Sequence, residues 1–485
     1  MSWPSPAQFV ARQGNGLAVN GRPFRFLGGN AYYLASSAAR GDTASVAEVF
    51  AMAQGLRMTV VRTWAFNDGA DSLDSAVIQY RPGVFNETAL RGLDRVLCMA
   101  ARYGIRLILP LVNSWDEFGG MNQYVRWLGA VQQVQPGNVP SEIVRGEEGR
   151  QYRRFVSTTA AHDDFYYNPT IRSWFENYAA MLVNRVNSCT GRTYRDDTTI
   201  AAWELANEPR SSDKTGRLVR DWLDVMGSWM QALDPNHLVG SGEEGFDVTA
   251  MPYRQEAYGG QDWMFDGTAG ISFSLNVQSP LLDFASVHLY PASWGIPGGA
   301  GGDWIRDHLR IASSSGTPLV IGEFGVRALQ VATYDSWLAT ATYDGAAGAL
   351  AWQLLTAGRT DPEGYGFRCP DAVCSVLRAY GGTLAGDPGQ IPLPTSLLLR
   401  QNYPNPFNGQ TTIAYALPYQ AHVVLDVWTA TGEHCATLVD GVQGAGERKE
   451  LLEARGLASG AYFYRLRVGG TGGAFSATRR LIVLH

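Results

Sequence analysis

The segment Ile200-Ala-Ala-Trp-Glu-Leu-Ala-Asn-Glu-Pro-Arg210 is an apolar run that stops on carboxylates. Short apolar runs closed by polar residues read as buried strands. Seven others stand along the chain, at 24–28, 59–64, 106–112, 237–241, 284–289, 318–324 and 349–354. Amphipathic helical patterns separate most of them, as at 46–54, 89–103, 171–186 and 218–233. Eight strands alternating with helices predict an α/β fold, a (βα)8 TIM barrel. An open doubly wound sheet is the alternative, but no Gly-x-Gly-x-x-Gly follows the first strand. Asn20-Gly21 predicts a hairpin ahead of the barrel. The connections at 113–168 and 242–282 are long, and a barrel places such loops at its C-terminal face, where active sites form.

A Pro/Gly-rich stretch, Ala385-Gly-Asp-Pro-Gly-Gln-Ile-Pro-Leu-Pro394, then interrupts the pattern. Short alternating runs follow at 411–417, 422–429, 462–468 and 477–484. The expected organisation is a catalytic barrel over 1–384 with its N-terminal hairpin, a linker at 385–397, and an all-β immunoglobulin-like sandwich at 398–485. The 485 residues are 45% apolar, enough for a packed core, and a net charge of −6 argues against nucleic acid as a partner. Among the 39 basic residues only Lys214 and Lys449 are lysines. No apolar run is long enough to span a membrane, and residues 1–13 lack the pattern of a signal peptide. Of the five cysteines, Cys369 and Cys374 are the pair expected to bond, and Cys98 reads as inert core. No cysteine spacing resembles a zinc site. The aromatic surplus of 14 Trp, 22 Tyr and 19 Phe fits a large core or a platform for flat, uncharged ligands such as sugars.

Polar residues just past strand ends are the first to test for function in a barrel. The fourth run ends on Glu208 and the seventh, Val320-Ile-Gly-Glu-Phe-Gly325, on Glu323. A carboxylate at the end of an apolar strand is costly to bury unless paired or working. Two on roughly opposite strands can face each other across the mouth. Glycoside hydrolysis needs that geometry, one carboxylic acid for the leaving oxygen and one carboxylate to attack or to activate water.

Trp203-Glu-Leu-Ala-Asn-Glu-Pro-Arg210 resembles the Asn-Glu-Pro signature of glycoside hydrolase family 5. The runs Val112-Asn-Ser-Trp-Asp-Glu-Phe-Gly-Gly-Met-Asn-Gln-Tyr124, His162-Asp-Asp-Phe-Tyr166 and His288-Leu-Tyr-Pro-Ala-Ser-Trp294 resemble its endo-β-1,4-mannanase branch. The resemblance covers about residues 15 to 380. It implies that Glu208 is the acid/base and Glu323 the nucleophile of a retaining mechanism, acting on mannan, glucomannan or galactomannan. By the same resemblance Asn207 bonds the sugar 2-OH, Tyr290 and His288 flank the two carboxylates, and Arg62 keeps the nucleophile ionised. Trp352 would lie beneath the sugar in subsite −1, with Arg210 toward the aglycone side and Trp115 on the glycone side. Trp294 leans functional by its place on a strand-end loop. An endo-β-1,4-glucanase on the same barrel and a catalytically silent glycan-binding protein are the alternatives. Family 5 members outside the mannanase branch often carry a His after the third strand, where this chain has Asn113 and Ser114.

Other carboxylates have plainer readings. Glu204 is the decoy four residues before Glu208, Asp163 and Asp164 read as solvated or capping, and Asp116 and Glu117 as loop charges. Trp64, Trp203 and Trp222 read as core. No cofactor or metal is expected. At the C-terminus, Leu399-Arg-Gln-Asn-Tyr-Pro-Asn-Pro-Phe-Asn-Gly-Gln-Thr-Thr-Ile413 and Leu457-Ala-Ser-Gly-Ala-Tyr-Phe-Tyr-Arg465 resemble the sorting domain of the type IX secretion system. That resemblance implies a secreted or cell-surface protein whose C-terminal domain meets the type IX machinery. A carbohydrate-binding module is the competing reading, with Trp428 as its one indole. A monomer is expected.

Overall fold

The computed structural model describes residues 8–69, 74–131, 141–145, 151–155, 159–251, 253–384, 397–469 and 475–484. The chain divides into two compact units, Met1–Asp387 and Pro388–His485. Apart from residue 397, the linker expected at 385–397 lies outside the described residues.

The first unit is built on eight parallel strands: β1 (Phe26–Asn30), β2 (Val60–Arg62), β3 (Arg106–Pro110), β4 (Ile200–Glu204), β5 (Leu238–Gly240), β6 (Ala285–Leu289), β7 (Leu319–Phe324) and β8 (Gly348–Ala351). Their order in the sheet is β5-β4-β3-β2-β1-β8-β7-β6, and a parallel bridge from Gly240 to Phe284 joins the two edges into a TIM-barrel-like ring. The strands fall where the apolar runs predict, but several are shorter. The final run is expected to reach Leu354, whereas β8 ends at Ala351, and 352–354 turn into the mouth.

Local chemistry starts the outer helices. Asn168 caps Pro169–Val183 by accepting from the N–H groups of Thr170 and Ile171, with Pro at the first position. Asn86 does the same for Glu87–Arg102 through Thr88. The 171–186 pattern overran its helix, which stops at Val183; Val186 lies outside it in a bridge to Thr193. Between β5 and β6 the described residues hold no full-length helix, only the four-residue Phe273–Asn276 and short 3₁₀ turns.

The lower end of the ring is closed by side chains. Phe26, Val60, Ile108, Leu238, Phe284, Val320 and Leu350 form one apolar cluster with Val10 and Leu17 of the N-terminal hairpin. That hairpin turns through Asn20 and Gly21, both at positive φ (57° and 71°), the two-residue turn that Asn-Gly predicts. Two glycines make room for the rings of this floor. A Cβ on Gly240 would sit 2.3 Å from the Phe284 ring, and one on Gly348 2.2 Å from the Phe26 ring. Arg12 ties the hairpin down by donating to the carbonyls of Leu282 (3.0 Å) and Gly316 (2.7 Å).

The second unit is all β. Leu398–Leu399, Gln410–Leu417 and Gly446–Glu453 form one antiparallel sheet, and His434–Gln443, Ala421–Thr429, Gly460–Gly469 and Phe475–Val483 another. Gly460–Gly469 alternates strictly, with Tyr462, Tyr464, Leu466 and Val468 buried and Phe463, Arg465 and Arg467 outside. His434–Gln443 and Gly446–Glu453 escape the sequence reading because each buries a single residue, Val439 and Leu452, and so shows no run of inward apolar positions.

Candidate active site

Every strand of the ring delivers its C-terminal end to one mouth, and the polar residues converge there. At its centre is Arg62, the last residue of β2, 1% exposed. Its guanidinium donates from Nε to Glu204 Oε2 (2.7 Å), from Nη1 to Glu323 Oε1 (2.6 Å) and from Nη2 to Asn207 Oδ1 (2.6 Å). A planar fork with donors fixed in one plane is what lets one side chain hold three strands. Burial alone would weaken its hold on the proton, but Glu204 and Glu323 raise its pKa above the ordinary arginine value.

Glu204 is therefore a structural partner of Arg62 and is fully buried. Past it the β3–β4 ladder runs on, with Asn207 N donating to Val112 O (2.7 Å) and Asn207 Nδ2 to Asn113 Oδ1 (3.0 Å). Glu208 then takes φ +50°, the left-handed region that a residue with a Cβ enters at a cost of about 1–3 kcal/mol. Its N–H is held by Gly242 O at 2.8 Å. The turn aims its carboxyl into the mouth.

All four oxygens of the two strand-end carboxylates have partners. Glu208 Oε1 lies 2.6 Å from His288 Nδ1, and Glu208 Oε2 accepts from Trp115 Nε1 at 2.5 Å. Glu323 Oε2 accepts from Tyr290 OH at 2.5 Å, opposite the Arg62 contact. One oxygen from each carboxyl and a ring nitrogen of His288 lie within 4.8 Å of one another. Those groups have the donor chemistry to hold a cation, but the guanidinium of Arg62 already supplies positive charge at Glu323.

Burial works against the charged forms of the two strand-end carboxyls and of His288. It pushes the Glu323 carboxyl up to about 7 against the opposing pull of His288 and Arg62, and it raises Glu208 as well. His288 is lowered by the same desolvation and stays neutral near pH 7. Two carboxyls this close share one proton, and the direct Arg62 contact on Glu323 puts that proton on Glu208.

Trp352 follows β8, its N–H bonded to Phe324 O (2.9 Å), and its indole stacks on Tyr32 with centroids 5.6 Å apart and planes 9° apart. Its Nε1 donates to Glu363 Oε2 at 3.1 Å. Arg210 is clamped by Glu244 through two 2.7 Å bonds, and its guanidinium lies 4.9 Å from the Trp115 ring and 4.9 Å from that of Phe246. The sequence reading put Trp115 and Arg210 on opposite sides of the cleft. In the structure the Arg210 guanidinium lies over the Trp115 ring, so the two side chains line one wall. Trp294 is likewise no open platform, being 7% exposed and packed against Phe246 and Trp304. Trp115, at 41%, is open to solvent.

The family model for GH family 5 β-mannosidase-like proteins matches residues 7–345. The chain belongs to glycoside hydrolase family 5. Among its relatives, mannan endo-1,4-beta-mannosidase 2 of Oryza sativa subsp. japonica is 36% identical over 372 residues, covering 72% of this chain and 77% of the relative. Mannan endo-1,4-beta-mannosidase 4 of Solanum lycopersicum is 36% identical over 326 residues, 65% of this chain and 72% of the relative. Among solved structures, the endo-β-1,4-mannanase from Thermotoga petrophila superposes with a TM-score of 0.68 at 27% identity, covering 96% of this chain and 99% of that one. The endo-1,4-β-mannanase from Rhizomucor miehei gives 0.65 at 30% identity, covering 78% and 99%.

Within this family 5 mouth, sequence reasoning missed the residues that hold its functional groups. Glu244 and Phe246 lie in the long connection after β5, Glu363 follows β8, and Tyr32 follows β1. A buried Glu directly after strand five, in Ser241-Gly-Glu-Glu244, was the available signal. His162 proves supporting: Nδ1 lies 2.9 Å from Asn122 Oδ1, and Nε2 3.1 Å from the carbonyl of Arg210. Asp163 accepts from the Ser212 N–H at 3.1 Å and Asp164 from the Tyr167 hydroxyl, so the two turn to different partners. Asp116 pairs with Arg126. Trp64, Trp203 and Trp222 are buried in the core, and Cys369 is bonded to Cys374.

Proposed function

We propose that this family 5 enzyme is an endo-acting β-1,4-mannanase that cleaves mannan, glucomannan or galactomannan with retention of configuration. The observation that carries the mechanism is the approach of the Glu208 and Glu323 carboxyls, with an oxygen of each inside 4.8 Å. Retaining enzymes hold their carboxyls about 5–5.5 Å apart, whereas inverting enzymes leave about 6.5–9.5 Å for a water.

Glu323, ionised beside Arg62, attacks the anomeric carbon. Glu208, carrying the shared proton, gives it to the departing oxygen. Deprotonated Glu208 then takes a proton from the water that releases the covalent glycosyl-enzyme. Tyr290 and Arg62 orient the nucleophile through its two oxygens. Asn207 has one N–H of its amide on Asn113 and offers the other to the sugar 2-OH. Trp352 supplies the flat face beneath the −1 sugar, Trp115 and Arg210 shape the remainder of the binding surface, and His288 and Trp294 back it from beneath. The relatives named as mannan endo-1,4-beta-mannosidases support mannan as the substrate. No step calls for a cofactor or a metal.

For the second unit, an immunoglobulin-like type IX sorting role is our reading, with the enzyme acting as a secreted or cell-surface monomer. It rests on the sequence resemblance at 399–413 and 457–465.

Reducing-sugar release from mannan, glucomannan and carboxymethylcellulose, measured side by side, tests the substrate. Activity confined to the cellulose derivative overturns the mannanase reading, and inversion seen by NMR during hydrolysis overturns the mechanism. In a host with type IX secretion, deleting 398–485 should leave the enzyme inside the cell; normal export of that form defeats the sorting role.

A further inference from the structure

Away from the mouth, two cysteines from distant parts of the first unit meet. Cys98 lies on the helix Glu87–Arg102, 3% exposed, and its Sγ donates to Asn187 Oδ1 at 3.4 Å. That same oxygen accepts the backbone N–H of Cys189 at 2.8 Å and of Thr190 at 3.3 Å. Asn187 is fully buried and donates from Nδ2 to Asp94 O, on the Cys98 helix, at 3.2 Å. It therefore pins the turn at 187–191 against that helix. The turn is closed by Gly191 N donating to Asn187 O and by the bridge between Val186 and Thr193. Cys98, through its thiol, and Cys189, through its backbone N–H, thus meet on one buried oxygen, with Cys189 exposed to solvent.

We propose that Cys98 and Cys189 form an oxidation site, closing a second intramolecular disulfide that ties the helix Glu87–Arg102 to the turn before β4. A disulfide needs its two sulfurs brought together without backbone rearrangement, and here one buried amide oxygen gathers the Cys98 thiol and the Cys189 N–H while Cys189 lies on a surface turn. The oxidant is a small disulfide such as glutathione disulfide. The exposed Cys189 thiolate attacks one of its sulfurs and expels one glutathione thiolate. Cys98 then loses its proton to solvent and attacks the Cys189 sulfur of the mixed disulfide, releasing the second glutathione. Two protein thiols are oxidised and one glutathione disulfide is reduced to two thiols. Burial and the neighbouring thiol raise the Cys98 pKa, so the second step is the slow one and quickens as pH rises. Cys435, in the other unit, has its Sγ on the carbonyl of Glu433 and serves as an internal control.

The test is thiol counting on the full-length chain after incubation with glutathione disulfide, acid quench, denaturation and alkylation, followed by peptide mass spectrometry. The expected result is a fall from the three free cysteines to one, Cys435, with a Cys98–Cys189 cross-linked peptide and a higher melting temperature. Cys189→Ser changes an exposed side chain and leaves the fold intact; under oxidation it should keep Cys98 and Cys435 alkylatable and gain no melting temperature. The proposal is overturned if Cys98 remains alkylatable in the oxidised wild type, whether Cys189 is then free or capped by glutathione. It is also overturned if Cys189→Ser gains the same thermal stabilisation.

Discussion

The two ends of the barrel are made by the same eight strands and are chemical opposites. At the floor, Phe26, Phe284, Ile108 and Leu350 close the ring with carbon alone, and glycines at 240 and 348 give way to the phenyl rings. At the mouth, the strands end on Arg62, Glu204 and Glu323, all at most 3% exposed. Apolar burial stabilises the floor at about 25 cal/mol per Å². Burying charge at the mouth has a desolvation cost, and even well-paired buried ions seldom outperform apolar replacements. The difference shows which end folding requires and which end function requires.

Substitutions break that comparison in a definite order. Glu323→Ala should take mannan hydrolysis to the detection floor with little change in the melt, and Glu208→Ala should lower kcat about 10²–10⁴-fold. A large melting shift for either would mean that the mouth is structural. Arg62→Met should combine both kinds of loss. It leaves Glu204 and Glu323 buried without a counter-charge, so calorimetry should show about 3–5 kcal/mol of destabilisation alongside lost turnover. Phe284→Ala is the floor's counterpart, expected to lose about 3–5 kcal/mol while kcat at moderate temperature stays within about twofold.

Tyr290→Phe sharpens the comparison through pH. The Tyr290 hydroxyl bonds to the Glu323 carboxylate and lowers its pKa, so removing it raises that pKa. The acid limb of the pH–activity profile should then move to higher pH by up to about one unit, with the alkaline limb in place. A last pH-dependent effect lies in the connection after β2. Asp68 is buried and pushed up to about 8 by desolvation. A carboxyl whose folded pKa is raised stabilises fully below its unfolded value of about 4, and that contribution is lost as pH rises through 8. Asp68→Asn should therefore flatten the decline in stability between those limits, as read from denaturant midpoints across pH.

The floor was legible from apolar runs because nothing but burial decides it. At the mouth, strand ends made Glu208 and Glu323 legible, whereas Arg62, Asn207, His288, Tyr290 and Trp352 came with the resemblance to family 5. Glu244, Phe246 and Glu363 sit on long loops with no period to read, and the fold, not local sequence, carries them to Arg210 and Trp352. The approach of Arg210 to Trp115 was hidden for the same reason, since 95 positions of chain separate the guanidinium from the indole it covers. In the second unit, strands whose inward residues are large and apolar were found, and His434–Gln443 and Gly446–Glu453, each with a single buried residue, were not.

The bridge from Gly240 to Phe284 also has a kinetic meaning. β5 is three residues long, and its link to β6 is that bridge, whereas β6 and β7 pair along most of their length. A ring opens at its thinnest seam. Amide hydrogens of Leu238–Gly240 should exchange with solvent sooner than those of β1 or β7, and unzipping of the barrel should begin beside the long 242–282 excursion rather than at the chain ends.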